Sequence, residues 1–373
     1  MRQKKPELEE ILNLKKWLVA VPLTLALALG VAACGSSDSN SGGSDSASVS
    51  GEIAGAGASS QEAAMQAWTV AFTDNNPDAN VTYDPVGSGG GREQFIAGGT
   101  AFGGTDSAMD ETELKDVAKR CAPGEYIEIP VYISPIAMAY NIDGVSDLNL
   151  SADTAAKIFS AKITNWDDPA IKADNPDANL PDQKIVVVHR SDESGTTDNF
   201  TDYLHQNAPS IWTWDHDGNW PLKGGEAADG TSGVISAIKS GSGTIGYADL
   251  SQVGDLGVAN VKVGDQYVAP SPEAAVKIFD SSKRVPNEGQ YVFAYDLNRT
   301  AAAKGLYPIS LVSYEMACTT YDSADQAKLV KAFYTYIISE DGQQAAADNA
   351  GSAPIPDSLR QQITPAVEAI QTS

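Results

Sequence analysis

From residue 51 onward the chain alternates short hydrophobic runs with segments whose apolar residues recur at helical spacing. Residues 51–53 read as a short strand running into Gly55-Ala56-Gly57-Ala58-Ser59-Ser60. Residues 61–72 then place Ala64, Trp68, Ala71 and Phe72 on one face of a helix. A strand over 81–86 follows, then Gly87-Ser88-Gly89-Gly90-Gly91 as a turn and a helix over 92–97. A third unit, 101–107, leads into a helix over 110–120. Strand, glycine-and-hydroxyl turn, helix is the signature of a parallel α/β sheet.

Farther along, residues 127–139 read as a long strand interrupted by Pro130 and Pro135, able to cross between two lobes. Residues 307–318 are a second extended crossing. Between them lie predicted helices over 152–159, 199–206 and 233–239, with strands over 185–188 and 243–247. Helices over 327–338, 342–350 and 363–370 close the chain, and no tandem repeat is visible.

Composition narrows the partners. A chain of 373 residues, 42% apolar with six Trp, can bury one or two sizeable cores. The formal net charge of −24 argues against nucleic acid and against electrostatic binding to anionic lipid. It leaves an anionic ligand open, because net charge governs solubility and encounter rate more than one desolvated site.

The N-terminus reads as an export signal. Lys4, Lys5, Lys15 and Lys16 precede an apolar run, 17–33, that is short for a membrane span and ends in small residues. Val31-Ala32-Ala33-Cys34 resembles a bacterial lipobox, which implies a lipid on Cys34; a free cysteine after an ordinary signal peptide is the alternative. Residues 35–50 are nearly all Gly, Ser, Asp, Asn and Ala, a composition for a flexible tether. Removing 1–33 takes away five basic and three acidic residues and deepens the charge from −24 to −26. Cys121 and Cys318 remain, and two cysteines in an exported chain predict a disulfide, although their separation of 197 positions says nothing about distance.

The richest candidate chemistry is His189-Arg190-Ser191-Asp192-Glu193-Ser194-Gly195-Thr196-Thr197, between a buried strand and a helix. Unpaired backbone amides and the positive end of a helix favour an anion there. The turns at Ser59, Ser88 and Asp106 occupy equivalent places, where parallel sheets bind ligands. Each has an ordinary reading too: Ser59 and Asp106 as helix caps, and the glycine run as a loop. A carboxylate facing an anion makes sense only if the anion carries a proton. Phosphate near neutral pH does and sulfate does not, so Asp106 would reject sulfate.

Two other chemistries are weaker. Ser194 as a nucleophile needs a base, the chain has only His189, His205 and His216, and His189 falls on the face opposite Arg190. No Gly-x-Ser-x-Gly elbow is present. Asp215-His216-Asp217-Gly218-Asn219 looks superficially like a calcium loop, but its glycine falls two positions early and no glutamate follows correctly. It reads as a surface loop packed by Trp212, Trp214 and Trp220, and neither a metal nor a cofactor is expected.

Together, Gly55–Ser59, Val86–Gly90, Phe102–Asp106 and Arg190–Thr196 resemble the phosphate-binding proteins of bacterial ABC importers, the PstS family. The run from Ile158 to Pro169, Ile-Phe-Ser-Ala-Lys-Ile-Thr-Asn-Trp-Asp-Asp-Pro, resembles the same family's second-lobe signature, and the similarity extends from Ile53 to Pro356. The resemblance implies an α/β, two-lobed periplasmic-binding-protein fold of type II, with a mixed sheet in each lobe and a two-segment hinge. It places residues 1–33 in a signal peptide, 34–52 in a lipid-anchored linker, 53–135 and 314–373 in lobe I, and 136–313 in lobe II.

By the same resemblance, the Ser59 hydroxyl (threonine is more usual), the Ser60 amide (an aromatic is usual), and the Ser88 hydroxyl and amide face phosphate. Asp106 accepts its proton, Arg190, Ser194, Gly195 and Thr196 contribute from the other lobe, and Asp192 holds Arg190. The implied function is an extracytoplasmic, membrane-anchored, monomeric receptor that delivers inorganic phosphate to a membrane permease and is not an enzyme. A receptor for another, sulfate-like oxyanion is the alternative, and a serine-dependent phosphoesterase a more remote one.

Overall fold

The glycine-rich beginning of the domain folds as its pattern predicts, in a computed structural model that describes residues 49–286 and 289–373. Strand β1 (Gly51–Gly57) leads to helix α1 (Glu62–Asn75), β2 (Ala79–Asp84) to α2 (Ser88–Ile96), and β3 (Phe102–Thr105) to α3 (Glu111–Cys121). Both β2 and β3 pair in parallel with β1. The expected signal peptide, the expected lipidation at Cys34 and most of the expected tether lie outside the described residues.

Helix α2 begins at Ser88, four residues before the helix predicted over 92–97. Its first turn is built from Ser88-Gly89-Gly90-Gly91, residues whose weak helix propensity reads as a loop. Packing overrides the propensity: a Cβ on Gly91 would lie 2.4 Å from the Cα of Gly57, so the bare backbone lets α2 sit directly on β1. Helix α3 starts as expected, with Asp110 and Glu113 forming a reciprocal capping box.

The long strand β4 (Tyr126–Asn141) is buried at every residue but the last, which is why apolar residues occupy both of its faces. Helix α4 (Ala152–Phe159), strand β5 (Val186–Arg190), helix α5 (Gly195–Asn207), strand β6 (Glu226–Ala228), helix α6 (Gly230–Ser240) and strand β7 (Thr244–Asp249) follow. Then come β8 (Gly257–Val263), β9 (Ser310–Cys318) and the closing helices α7 (Ala324–Ile338), α8 (Glu340–Ala350) and α9 (Asp357–Glu368). The main strand order is β2-β1-β3-β9-β4-β7-β5-β6.

Strand β4 changes partners midway. Residues 126–135 pair antiparallel with β9, and 136–141 pair with β7. Each end of the sheet is mixed, because β9 runs antiparallel to β3 while β5 runs parallel to β7. The β4–β9 register slips between Ser313 and Tyr314, where Tyr132 and Pro130 are their partners and Val131 is skipped. Pro130 has no N–H to give the ladder, so a bulge is its natural place. The strands shared by both ends hold the described residues as one compact unit.

Aromatic packing fixes each end. Trp68 of α1 is fully buried and donates Nε1–H to the Gly342 carbonyl at 2.7 Å, tying α1 to α8. At the other end Phe200 of α5 stacks on Tyr247 of β7, with centroids 4.5 Å apart, and meets Phe159 of α4 edge-on at 4.7 Å. Rings of this size dominate core energetics and orient the helices they come from. Cys121, the last residue of α3, and Cys318, the last of β9, form a disulfide. Among the described residues no helix is long and apolar enough to cross a membrane.

Candidate functional site

Four helix N-termini meet where the two ends of the sheet face each other. Ser59 and Ser60 precede α1, Ser88 opens α2, Ser194 caps α5, and Gly230 opens α6. The Ser59 hydroxyl lies 3.0 Å from that of Thr231 and accepts from the Thr231 amide at 3.1 Å, so α1 and α6 touch at their positive ends. The Ser88 hydroxyl accepts from the Asp106 amide at 3.1 Å. A Cβ on Gly195 would lie 2.6 Å from the Asp106 Cβ and 2.7 Å from the Ser88 Oγ. Only glycine lets α5 approach this closely. All eight residues expected at the site are brought together: Ser59, Ser60, Ser88, Asp106, Arg190, Ser194 and Thr196 are buried, and Gly195 lies among them.

Arg190 is held from one side. Its Nε donates to Asp192 Oδ1 at 2.7 Å, and its Nη2 pairs with Asp192 Oδ2, as expected. The Gly230 amide also reaches Asp192 Oδ1, at 3.1 Å. Burial alone would raise the Asp192 carboxyl, but the hydrogen bond and charge of Arg190 and the Gly230 amide hold it below the usual range. The fork is therefore fixed in orientation. The Arg190 amide donates to the Tyr247 hydroxyl at 3.2 Å, and that hydroxyl lies 2.8 Å from Thr197 Oγ1. Tyr247 thus pins the end of β5 to the first turn of α5.

Asp106 is not a helix cap; Asp110 caps α3. Its carboxylate is surrounded by hydroxyl donors instead. Ser60 Oγ lies 2.8 and 2.7 Å from its two oxygens, Ser313 Oγ 2.6 Å from Oδ1, and Thr196 Oγ1 3.3 Å from Oδ2. Burial pushes its pKa above the ordinary carboxylate value, against Ser313, Ser60, the charge of Arg190 and Thr196. Asn199 of α5 donates to the carbonyls of Asp106 at 2.7 Å and Gly195 at 2.8 Å. A guanidinium also spans the two ends: Arg92 of α2 meets Glu113 at 2.8 Å and Glu193 at 2.5 Å.

Sequence reading assigned Ser60 only its amide, and Ser313, Thr231, Tyr247 and Asn199 no role. Thr231 had a signal: Asp229-Gly230-Thr231-Ser232-Gly233 before a helix repeats the glycine-and-hydroxyl turn seen elsewhere. Ser313 had none, because it lies mid-strand and meets Asp106 only through the long-range pairing of β9 with β3, one position beyond Tyr314 and Thr105.

The geometry does not bring His189 to Ser194 as a base. The Ser194 hydroxyl accepts from the Thr197 amide at 3.2 Å, while the His189 ring meets the carbonyls of Arg190 and Gly224 and stacks on Trp220 at 5.1 Å. A cavity of about 270 Å³ opens beside Asp106, but Asp198, Asp202 and Asp296 line it, and its one arginine, Arg299, is paired with Asp202. Those carboxylates disfavour an anion in the cavity, whereas the helix N-termini favour one. Among the described residues no group of three or more His, Cys, Asp or Glu side chains could hold a metal ion.

Comparison with known proteins adds an independent finding. The sequence model of the PBP superfamily domain matches residues 42–341. The phosphate-binding protein PstS 3 of Mycobacterium leprae is 36% identical over 321 residues, covering 84% of this chain and 86% of that protein. The phosphate-binding protein PstS of the archaeon Methanocaldococcus jannaschii is 34% identical over 307 residues, covering 76% and 77%. Among solved structures, a high-affinity periplasmic phosphate-binding protein, PfluDING, bound with phosphate, matches with TM-score 0.66 at 25% identity over 84% of this chain and 93% of that one. A phosphate-binding protein from Stenotrophomonas maltophilia shares the fold, with TM-score 0.65 at 19% identity, covering 85% of this chain and 94% of that one.

Proposed function

Because the chain belongs to the PstS phosphate-binding proteins of the PBP superfamily, we propose that it binds inorganic phosphate between the helix N-termini and delivers it to the permease of an ABC importer. The family binds solutes and is not one of enzymes. The observation that carries the reading is Asp106, a buried carboxylate set among anion-favouring helix N-termini and one arginine. An anion without a proton faces repulsion there, whereas phosphate donates its P–OH to the carboxylate. Around it, Ser59, the Ser60 amide, Ser88, Ser194, Gly195 and Thr196 supply donors, and Arg190 supplies charge with its fork steadied by Asp192.

The exchange of partners along β4, with β9 running beside its first half, supports a two-segment hinge, with 53–135 and 314–373 in one lobe and 136–313 in the other. Closure by hinge motion would bring the Ser59–Thr231 and Arg92–Glu193 contacts together. The leader of 1–33 and Cys34 support an exported protein held at the outer face of the cell membrane by a lipid on Cys34. Isothermal titration with phosphate and with sulfate tests the site: phosphate binds one to one, sulfate at least a hundredfold more weakly, and Asp106→Asn narrows that gap. Equal affinity for the two anions, or no phosphate binding, overturns the reading in favour of another oxyanion.

A further inference from the structure

The hydroxyl of Ser60 meets the Asp106 carboxylate directly. It lies 2.8 Å from Oδ1 and 2.7 Å from Oδ2 of Asp106, fully buried. A hydroxyl has one proton, so it donates to one oxygen at a time while bridging both. The ionised carboxylate has about four acceptor positions. Ser313 occupies one on Oδ1 at 2.6 Å, and Thr196 one on Oδ2 at 3.3 Å. Three hydroxyl protons thus leave Asp106 room for one more donor.

We propose that Ser60, supported by Ser313, is a specificity-determining positioning residue. Its hydroxyl holds the Asp106 carboxylate in its acceptor form and leaves one acceptor position for the proton of the bound anion. The inference rests on the phosphate reading above and deepens it. Without Ser60, a buried carboxyl short of a donor takes up a proton itself, then donates instead of accepting, and no longer penalises an oxyanion without a proton.

The groups around Asp106 leave this role to the hydroxyls. Arg190 is the charged group that acts on it most strongly, and it is shared with Asp192. Tyr83 of β2 feels the Asp106 charge, but burial, with Glu315 of β9 next, pushes its phenol well above the usual range and keeps it neutral. Ser88 and Asn199 are engaged with the Asp106 backbone and are uncharged. Across the neighbouring cavity Asp198 is tied to His216 and Asp202 to Arg299.

The test compares phosphate and sulfate affinities from pH 8.5 down to pH 5 for wild type, Ser60→Ala, Ser60→Thr and Ser313→Ala, with folding checked by circular dichroism. The readout is the change in the phosphate-to-sulfate affinity ratio with pH. The ratio for Ser60→Ala falls about tenfold or more beyond the wild-type change as the pH drops, and Ser60→Thr restores the wild-type profile. If Ser60→Ala does not fold, Ser313→Ala carries the same expectation. Parallel profiles in a wild type that prefers phosphate overturn this inference alone. A wild type without that preference removes the phosphate reading, and this inference with it.

Discussion

In the proposed phosphate site, Arg190 and Asp106 divide the work between charge and choice. Arg190 brings a fixed guanidinium to a place already favoured by four helix ends, and its fork depends on Asp192 at 2.7 Å. Lysine would keep the charge but lose the planar pairing. Arg190→Lys should weaken phosphate binding by about 2 kcal/mol, roughly thirtyfold, as a charge-assisted bond is worth about 1.5–3 kcal/mol. Titration calorimetry at neutral pH checks this, and an unchanged Kd would show that the fork's geometry does not matter. At this scale the turn residues could be read from type and order alone, as Arg190, Asp192, Ser194, Gly195 and Thr196 form one local stretch. Ser313 could not, because nothing local distinguishes a serine inside a strand.

At the scale of elements, hydrophobic period located most helices and strands but misplaced several starts. Helix α5 begins at Gly195, not 199, and α2 at Ser88, not 92. In both cases the missed turn is mostly glycine and hydroxyl residues, which have weak helix propensity and are held by tertiary contacts across the site. The first turns of helices that bind an anion through their backbone are poor in apolar residues, so periodicity passes over them. Short strands such as β6, three residues long, carry too little pattern to register.

The disulfide shows a different kind of legibility, since the pairing was expected from compartment and count while its place was not. It joins the C-terminal ends of α3 and β9 across 197 positions. Replacing both cysteines with serine should lower stability by about 2–5 kcal/mol, read as a lower midpoint in urea. No change in midpoint would mean that the β4–β9 ladder already holds these ends.

For the whole molecule, the crossing strands matter most. Where β4 passes from β9 to β7, Asp249 pairs with Ile136 and is fully buried. Its Oδ1 accepts from Tyr132 at 3.1 Å and from the Ser251 amide at 2.9 Å. Burial, only partly offset by those donors, raises its pKa to about 6. The folded chain therefore holds this proton more tightly than the unfolded chain, whose aspartates titrate near 4. Stability from this group is greatest below about pH 4, is lost as the pH rises through about 6, and stays lost above it. Asp249→Asn cannot ionise, so its stability relative to wild type should improve by about 2–3 kcal/mol between pH 4 and pH 7.5, measured by urea unfolding. A difference that does not change with pH would contradict a raised Asp249.

The two-ended sheet, the polar contacts between its ends and the family likeness all converge on one claim, that phosphate sits among the helix N-termini beside Asp106 and Arg190. Its most direct test is a crystal structure of the protein grown in phosphate and free of sulfate. The account predicts tetrahedral density within hydrogen-bond reach of Ser88, Arg190 and the α5 N-terminus, with one oxygen against the Asp106 carboxylate. Phosphate bound elsewhere, or density that avoids Asp106, would contradict it.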